Sequence, residues 1–213
     1  MSSHYSKSLI TKLLNNNAQI VLCGQNNKMS EHDTLDNCLI LSGAFNPLHL
    51  GHIKLAEAAN KLLNKNVLFD LSVMNADKGL MNVSEICSLL DQFDPSLKVV
   101  LTRKPLFSQK SVCFPNTTFI VGYDTALRIL QKKYYDNSLK DFLNFLYKFK
   151  KSGCKFLVAG RLWDNEYLTI KNLNIPPKYN DLFVELPENA FRIDTSSSLL
   201  RKINQGLPSI SKN

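Results

Sequence analysis

The sequence predicts an α/β fold in which helices cover both faces of a mainly parallel sheet. Apolar runs of strand length alternate with helical patterns along most of the 213 residues. Consecutive strand, helix and strand units connect as right-handed crossovers and so build a parallel sheet. Several of the apolar runs are almost continuous, which is typical of strands that are buried on both faces. A chain of this length can bury one core, so we expect one main domain.

Six apolar runs are the predicted strands of this sheet. In chain order they span residues 38–43, 67–73, 97–102, 117–122, 155–160 and 181–187. The predicted helices between and after them span residues 50–63, 84–93, 124–133, 139–151 and 196–204. The helix at 139–151 carries its apolar residues at helical spacing, which favours a face packed on the core over a membrane-binding or partner-binding face.

An N-terminal arm precedes the first of these strands. The predicted division of the chain is an arm, a domain and a tail, at residues 1–37, 38–206 and 207–213. Within the arm we predict an amphipathic helix, a short strand and a polar surface linker, at residues 6–14, 18–24 and 25–37.

The beginning of the chain lacks the apolar segment and the small-residue cleavage site of a secretory signal. A mitochondrial presequence remains the alternative interpretation. No run approaches the roughly 20 consecutive apolar residues that a membrane-spanning helix needs. We therefore expect a cytoplasmic or nuclear protein that does not bind a membrane. The sequence leaves a homo-oligomer open.

Five cysteines are scattered along the chain without a CxxC pair, and their odd number argues against a disulfide framework. We expect buried, reduced thiols. As an alternative, Cys23, His32 and Cys38 could be metal ligands. Their spacing matches no common zinc pattern and supplies only three groups, so we predict no metal site made by the protein.

The net charge of +8 and the isoelectric point near 9.2 favour an anionic partner, either a phosphate ligand or a nucleic acid. A lysine-rich, solvated surface would give the same charge without any partner. The chain contains no recognised RNA-binding or DNA-binding module. We therefore expect small-molecule partners and no nucleic acid.

The segment GAFNPLHLGH, residues 43–52, lies where the first predicted strand of the sheet turns into a helix. Parallel sheets bind ligands at this edge, where helix N-termini with unpaired N–H groups favour phosphate. Gly43 allows the backbone to approach a bound group. His49 and His52 place two imidazole donors on the first helical turn, and Gly51 leaves room for a polyphosphate between them. The alternative is that both histidines are cap or core residues of an ordinary loop.

The segment TSSSLLR, residues 195–201, offers a second group of anion-binding side chains. Ser196, Ser197 and Ser198 stand where a helix would begin, with hydroxyls and open N–H groups. Arg201 lies four residues beyond Ser197, on the same helix face, so its guanidinium would meet the same anion. A capped helix with a surface arginine is the alternative.

A third segment, GYD at residues 122–124, follows an apolar strand. Gly122 permits a close approach of a ligand, and Asp124 could accept hydrogen bonds from ribose hydroxyls. Alternatively, Asp124 only caps the helix that follows.

These segments resemble the motifs of the HIGH-type nucleotidyltransferase superfamily, and in particular its nicotinamide mononucleotide adenylyltransferase-like branch. Residues 43–52 match the GxFNPxHxGH signature. Residues 195–201 are similar to the ISSTxxR motif, with Thr for Ile and Ser for Thr, and residues 119–126 resemble the GxD segment after a central strand. The resemblance covers about residues 38–206 and implies a Rossmann-like fold.

The resemblance also implies a reaction. The 5′-phosphate of a mononucleotide attacks the α-phosphorus of ATP in line, which gives NAD and pyrophosphate with the help of Mg²⁺ and without a covalent intermediate. His49 and His52 are implied to stabilise the α-phosphate, and Arg201 with Ser196 and Ser197 is implied to hold the β- and γ-phosphates. The implied ATP-binding residues are Gly43, Ala44, Phe45, Asn46, Gly51, Gly122, Asp124, Ser196, Ser197 and Ser198.

The acceptor is less well defined by the sequence. Enzymes of this branch stack a pyridine ring on a tryptophan downstream of GxD, whereas this chain has Tyr134 and Tyr135 there and its one tryptophan, Trp163, later. Lys78 is a candidate for the acceptor phosphate, with a solvated loop lysine as the alternative. Two other functions stay open: transfer from ATP or CTP to another acceptor, such as a phosphopantetheine, and regulation by a protein that hydrolyses or senses ATP.

Overall fold

The computed structural model of the protein describes residues 5–75 and 79–192. Its centre is an eight-stranded sheet with helices packed on both faces, which confirms the predicted fold class. The strands are β1 Ile20–Cys23, β2 Met29–His32, β3 Leu39–Gly43, β4 Val67–Ser72, β5 Met74–Asn75, β6 Gly79–Leu80, β7 Lys98–Thr102, β8 Thr118–Gly122, β9 Lys155–Ala159, β10 Arg161–Trp163, β11 Glu166–Leu168 and β12 Phe183–Leu186. The α-helices are α1 Lys7–Leu14, α2 Leu50–Leu63, α3 Val83–Leu90, α4 Phe107–Cys113, α5 Tyr123–Ile129 and α6 Leu139–Lys151.

The order of strands in the sheet is β12-β9-β8-β3-β4-β7-β1-β2. The strands from β12 to β7 run parallel, and β1 and β2 extend the β7 edge in antiparallel fashion. From β3 the chain winds outward through β4 and β7, and it later returns to the middle and winds the other way through β8, β9 and β12. The edge between β3 and β8 is therefore a topological switch point, the place where open parallel sheets bind ligands.

Two apolar cores fill the two sides of the sheet. Because successive strand residues point to opposite faces, Leu39 and Leu41 of β3 pack with α1, α2 and α3, whereas Ile40 packs with α4, α5 and α6. The second core is rich in aromatic rings, and the ring of Phe149 in α6 stacks on that of Phe156 in β9 at a centroid distance of 4.3 Å. In the described ranges, no helix is long and apolar enough to cross a membrane.

Most predicted elements are confirmed, with shifts at their ends. The helices predicted at 50–63 and 139–151 have those bounds. The helix predicted at 124–133 begins one residue earlier and stops at the end of α5, because the chain tightens into a 3₁₀ helix beyond it. The helix predicted at 84–93 becomes the shorter α3. The helix predicted at 196–204 lies outside the described residues.

Three features are absent from the prediction. The segment predicted as a polar linker contains β2, so that part of the prediction is wrong. Helix α4 lacks a regular apolar stripe because Lys110 occupies one of its buried positions. The hairpin β10–β11 turns at Asp164 and Asn165, both at positive φ, which is the conformation of tight two-residue turns.

The N-terminal segment belongs to the same sheet and core as the rest of the protein. Helix α1 begins after Ser6, whose hydroxyl accepts a hydrogen bond from the N–H of Leu9, and it buries Ile10 and Leu13 completely. The guanidinium of Arg103, just after β7, donates to the carbonyl of Leu14 at 2.8 Å. Contacts with β7 therefore tie this segment to the parallel sheet.

All five cysteines are free thiols. Burial was predicted for all of them, and it is confirmed for Cys23, Cys87, Cys113 and Cys154. Cys38 is partly exposed, because it lies just before β3 at the amino edge of the sheet rather than inside it.

Candidate active site

The two histidines of the GAFNPLHLGH segment lie together at the N-terminus of α2. His49 is the N-cap residue, and its Nδ1 accepts a hydrogen bond from the N–H of Gly51 at 3.1 Å. The N–H of His49 in turn donates to Nδ1 of His52 at 3.3 Å. The two imidazole rings stack with centroids 3.7 Å apart. Capping of α2 therefore holds the two rings as a pair.

These hydrogen bonds define the protonation of the pair. A ring nitrogen that accepts a hydrogen bond carries no proton, so in each neutral imidazole the proton lies on Nε2. Burial lowers the pKa of His49, and burial with the adjacent His49 lowers the pKa of His52 to about 4. Both rings are therefore neutral Nε2–H donors near pH 7 rather than cations. The cap interpretation is correct for His49, whose Nδ1 accepts the capping bond from the N–H of Gly51.

Phe45 supports the histidine pair from the core. Its side chain is 1% exposed and meets the ring of His52 edge to face at 5.1 Å, with Phe69 and Phe93 on its other sides. Its predicted contact with ATP can therefore come only from its backbone. A Cβ atom on Gly43 would lie 2.9 Å from the ring of Phe45. Gly43 thus makes room for this ring, and its predicted approach to a bound group stays a prediction.

Gly51 has a similar explanation. A Cβ atom there would lie 2.9 Å from Nδ1 and Cε1 of His49. The missing side chain leaves space for the His49 ring, and not for a polyphosphate between the two histidines as predicted. At Gly122 a Cβ atom would meet no heavy atom of the described residues within 4 Å, which is compatible with the predicted close approach of a ligand.

A cavity of about 320 Å³ opens at the switch point between β3 and β8. Both the histidine pair and the GYD segment at the start of α5 line it. The described residues that line it are Leu41, Ser42, His49, Gly51, His52, Leu55, Ile120, Val121, Gly122, Tyr123, Asp124, Thr125, Ala159, Gly160, Arg161, Leu162 and Phe191. The structure thus brings five of the predicted site residues to one cavity, namely His49, Gly51, His52, Gly122 and Asp124.

Asp124 is held by an ion pair rather than by a capping bond. Gly122 is the N-cap residue of α5, and the carboxylate of Asp124 accepts a hydrogen bond from Arg161. The guanidinium of Arg161 also lies 5.2 Å from the centre of the Trp163 ring. The capping alternative for Asp124 is therefore wrong, and Arg161 adds a cation to the lining of the cavity.

Arg161 is a candidate binding residue that the sequence interpretation missed. It follows β9 after Gly160, at the same carboxyl edge of the sheet as the GYD segment does for β8. The rule that predicted Asp124 therefore applies to Arg161 as well. Thr125 also lines the cavity, beside Asp124 in the first turn of α5.

Some predicted site residues lie elsewhere. Gly43 and Ala44 do not line the cavity, and Asn46 lines a neighbouring one of about 470 Å³ between the loop and α3. Lys78 lies outside the described residues. The same holds for the C-terminal set of Ser196, Ser197, Ser198 and Arg201.

The comparison with protein families supports the sequence motifs. The family model described as cytidylyltransferase-like matches residues 40–203. This range begins in β3 and includes both the histidine loop and the GYD segment. It leaves out α1, β1 and β2. A comparison with curated proteins finds no match.

Proposed function

The chain belongs to the cytidylyltransferase-like family of nucleotidyltransferases, and we propose that it transfers AMP from ATP to nicotinamide or nicotinate mononucleotide. Pyrophosphate leaves, and a dinucleotide of the NAD type forms. The observation that carries the proposal is the cavity at the switch point, which is lined both by two neutral imidazoles and by the Asp124–Arg161 pair. This lining offers donors for phosphate together with polar groups for a nucleoside.

The histidine pair suits the chemical step. In an in-line displacement the acceptor phosphate forms a bond to the α-phosphorus while the bond to the pyrophosphate oxygen breaks. Negative charge on the α-phosphate oxygens then needs donors that are already in place. Nε2–H of His49 and of His52 would supply them without a proton transfer, because the attacking phosphate is already ionised. Arg201, Ser196 and Ser197 are proposed to hold the β- and γ-phosphates.

Mg²⁺ is proposed to arrive bound to ATP. Asp124 is the only carboxylate among the described residues that line the cavity, and Arg161 already engages it. Elsewhere in the described ranges, no group of three or more His, Cys, Asp or Glu residues is placed to hold a metal ion. Mg²⁺ commonly binds through substrate phosphates with few protein ligands, so MgATP fits this cavity.

A second acceptor class is kept because of the aromatic residues after α5. The ring of Tyr135 stacks against Phe145 at 5.4 Å, and its hydroxyl donates to the carbonyl of Ile129, so Tyr135 is committed to the core. Tyr134 lies at the surface beside Lys133. Neither offers a shelf for a pyridine ring. Trp163 beside Arg161 is the remaining candidate for a ring that stacks on the pyridine. If Trp163 does not stack on the acceptor, an acceptor that has no aromatic ring, such as a phosphopantetheine, is favoured.

An acceptor panel tests the proposal. The protein is incubated with ATP or CTP, Mg²⁺ and one acceptor at a time, and pyrophosphate and the product mass are measured. We expect pyrophosphate release that depends on ATP and on a pyridine mononucleotide. Release that depends only on another acceptor would support the second class. Release of phosphate or pyrophosphate without any acceptor, or binding of ATP without turnover, would contradict transfer and support the regulatory alternative.

His52→Ala is the matching variant. Loss of one preorganised donor lowers kcat by about 10²–10³-fold in comparable sites. His32→Ala is the control, because His32 lies on the edge strand β2 and contacts Ser30 instead of the cavity. Thermal unfolding of both variants shows whether the fold is retained. A fully active His52→Ala protein would rule out the proposed role of the pair.

A further inference from the structure

A buried ion pair lies at the carboxyl edge of the sheet, next to the cavity. Asp70 in β4 is 0% exposed, and the side chain of Lys110 in α4 is 4% exposed. The Lys110 ammonium donates to Oδ2 of Asp70. None of the reaction steps proposed above uses either group.

The carboxylate of Asp70 joins three neighbouring strands. Its Oδ2 accepts a hydrogen bond from the hydroxyl of Ser42 in β3 at 2.7 Å, and its Oδ1 accepts one from the hydroxyl of Thr102 in β7 at 3.2 Å. Ser42 lies directly opposite Asp70 in the parallel pairing of β3 and β4. The ends of β3, β4 and β7 and the helix α4 therefore meet at one carboxylate.

Ser42 connects this network to the site. It lines the cavity, and it directly precedes Gly43, where the loop that carries both histidines begins. Its hydroxyl proton is committed to Asp70. The Asp70 carboxylate is therefore hydrogen-bonded to the residue that directly precedes this loop.

A buried ion pair is by itself weak evidence of added stability. Removing charges from water costs several kcal/mol per ion, and apolar residues of similar volume often replace a buried pair without loss of stability. Removal of one partner, by contrast, leaves an uncompensated buried charge. A chain that needed only a stable core at this position could therefore use an apolar pair.

We propose that Asp70 and Lys110 are positioning residues for the nucleotide cavity, which they hold in shape through Ser42 and the carboxyl end of β3. The turnover assay of this inference rests on the proposed function. The measurement of nucleotide binding does not depend on that function.

The test separates folding from positioning. Lys110→Met alone should be strongly destabilised, because it leaves the Asp70 carboxylate buried without a cation. The double variant Asp70→Val with Lys110→Met should recover an unfolding midpoint close to that of the unaltered protein. We expect it to keep at least tenfold lower kcat and at least fivefold weaker MgATP binding. Isothermal titration calorimetry measures the MgATP binding of each variant.

Ser42→Ala provides the second variant, and it decides the question if the double variant does not fold. It removes only the hydroxyl that links Asp70 to the cavity, and we expect lower kcat with a small change in the unfolding midpoint. Thr117→Val is the control. Thr117 also carries a buried hydroxyl, but it bonds to Cys38 and Pro115 at the opposite edge of the sheet.

The outcomes are distinguishable. If the double variant or Ser42→Ala has the turnover and MgATP affinity of the unaltered protein, the positioning role is overturned. If the unaltered protein binds MgATP but releases no pyrophosphate with any acceptor, the proposed function fails. The MgATP affinities of the same variants then still decide the positioning role.

Discussion

At the scale of single residues, His49 and His52 show how one side chain can both cap a helix and serve a site. Each ring uses Nδ1 as an acceptor within the loop, so the proton lies on Nε2. Burial keeps the pair neutral. A neutral donor can stabilise charge that develops on a phosphate without exchanging a proton with it.

This neutrality predicts a dependence on acid. The pKa of His52 in the folded protein is about 4, below the ordinary 6.5. A histidine with a lowered pKa binds fewer protons folded than unfolded, so its contribution to stability is present above pH 6.5 and is lost as the pH falls towards about 4. We expect urea unfolding to show this loss between about pH 6.5 and pH 4.

The control for this prediction is His52→Ala, in which the acid-dependent loss of stability should be smaller. A titration of the imidazole Cε1–H signals by NMR measures the pKa directly. A His52 signal that titrates near pH 6.5 would contradict the neutral pair, and with it the interpretation of the hydrogen bonds.

Alanine substitutions at two glycines of the cavity should change different kinetic constants. Alanine is favoured over glycine inside a helix by about 1 kcal/mol, but a Cβ atom on Gly51 would press on the ring of His49. Gly51→Ala should therefore leave stability nearly unchanged and lower kcat by about tenfold or more, because the ring must move. At Gly122 a Cβ atom would meet no atom of the described residues within 4 Å. Gly122→Ala should raise the KM for ATP and leave the unfolding midpoint unchanged.

Steady-state kinetics and thermal unfolding of the two variants check this contrast. If Gly51→Ala changes KM alone, the ring of His49 does not act in the chemical step. If Gly122→Ala changes neither constant, the nucleotide does not approach this part of the cavity.

At the scale of elements, the segment that follows α3 holds the histidine loop in place. Oε1 of Gln92 accepts a hydrogen bond from the N–H of Leu48 at 2.8 Å, although the two residues are 44 positions apart. The ring of Phe93 packs against that of Phe45 at 5.4 Å. One polar and one apolar contact therefore fix the loop from outside the cavity.

Gln92→Leu should lower kcat about fivefold, the equivalent of one hydrogen bond of about 1 kcal/mol. Gln92→Glu keeps an acceptor for the Leu48 N–H and should restore most of the rate. Gln131→Leu is the control, because it makes the same change of side chain in the turn after α5, away from the histidine loop, and it should leave kcat unchanged. Equal rates for Gln92→Leu and Gln92→Glu would show that the bond does not position the histidines.

The sequence predicts these elements to different extents for physical reasons. Helix α2 is predicted to the residue because its start and its apolar face are both local patterns. Helix α4 is not, because Lys110 is buried through an ion pair with Asp70, 40 positions away. The ring contacts of Gly43 and Gly51 are also missed, since each glycine faces a ring of its own loop. Contacts between distant or neighbouring side chains leave no periodic signal in the sequence.

At the scale of the whole molecule, the winding of the sheet assembles the site. The histidine loop follows β3, Asp124 follows β8, and Arg161 follows β9, and these three strands are adjacent in the sheet. Parallel strands place their carboxyl ends at one edge, so three separate segments meet at one cavity. The sequence predicts this meeting for the first two segments, because both the strands and the motifs after them are recognisable.

The winding also incorporates the N-terminal segment. Strand β1 pairs with β7, and α1 packs on the same core as α2 and α3. The pairing covers an edge that a parallel sheet would otherwise expose. We therefore expect that a chain without residues 1–37 does not fold to a stable monomer. Circular dichroism and size-exclusion chromatography of the shortened chain check this expectation.

A single substitution in α1 also tests how much the N-terminal segment contributes to stability. Leu13 is fully buried between α1 and the sheet, so Leu13→Ala should lower the free energy of unfolding by about 2–5 kcal/mol. Leu14→Ala is the control, because Leu14 is only partly buried and should cost less. Both proteins should retain the kcat of the unaltered chain where they remain folded, since neither residue lines the cavity. An unfolding transition of Leu13→Ala that matches the unaltered protein would mean that the N-terminal segment is an appendage rather than part of the core.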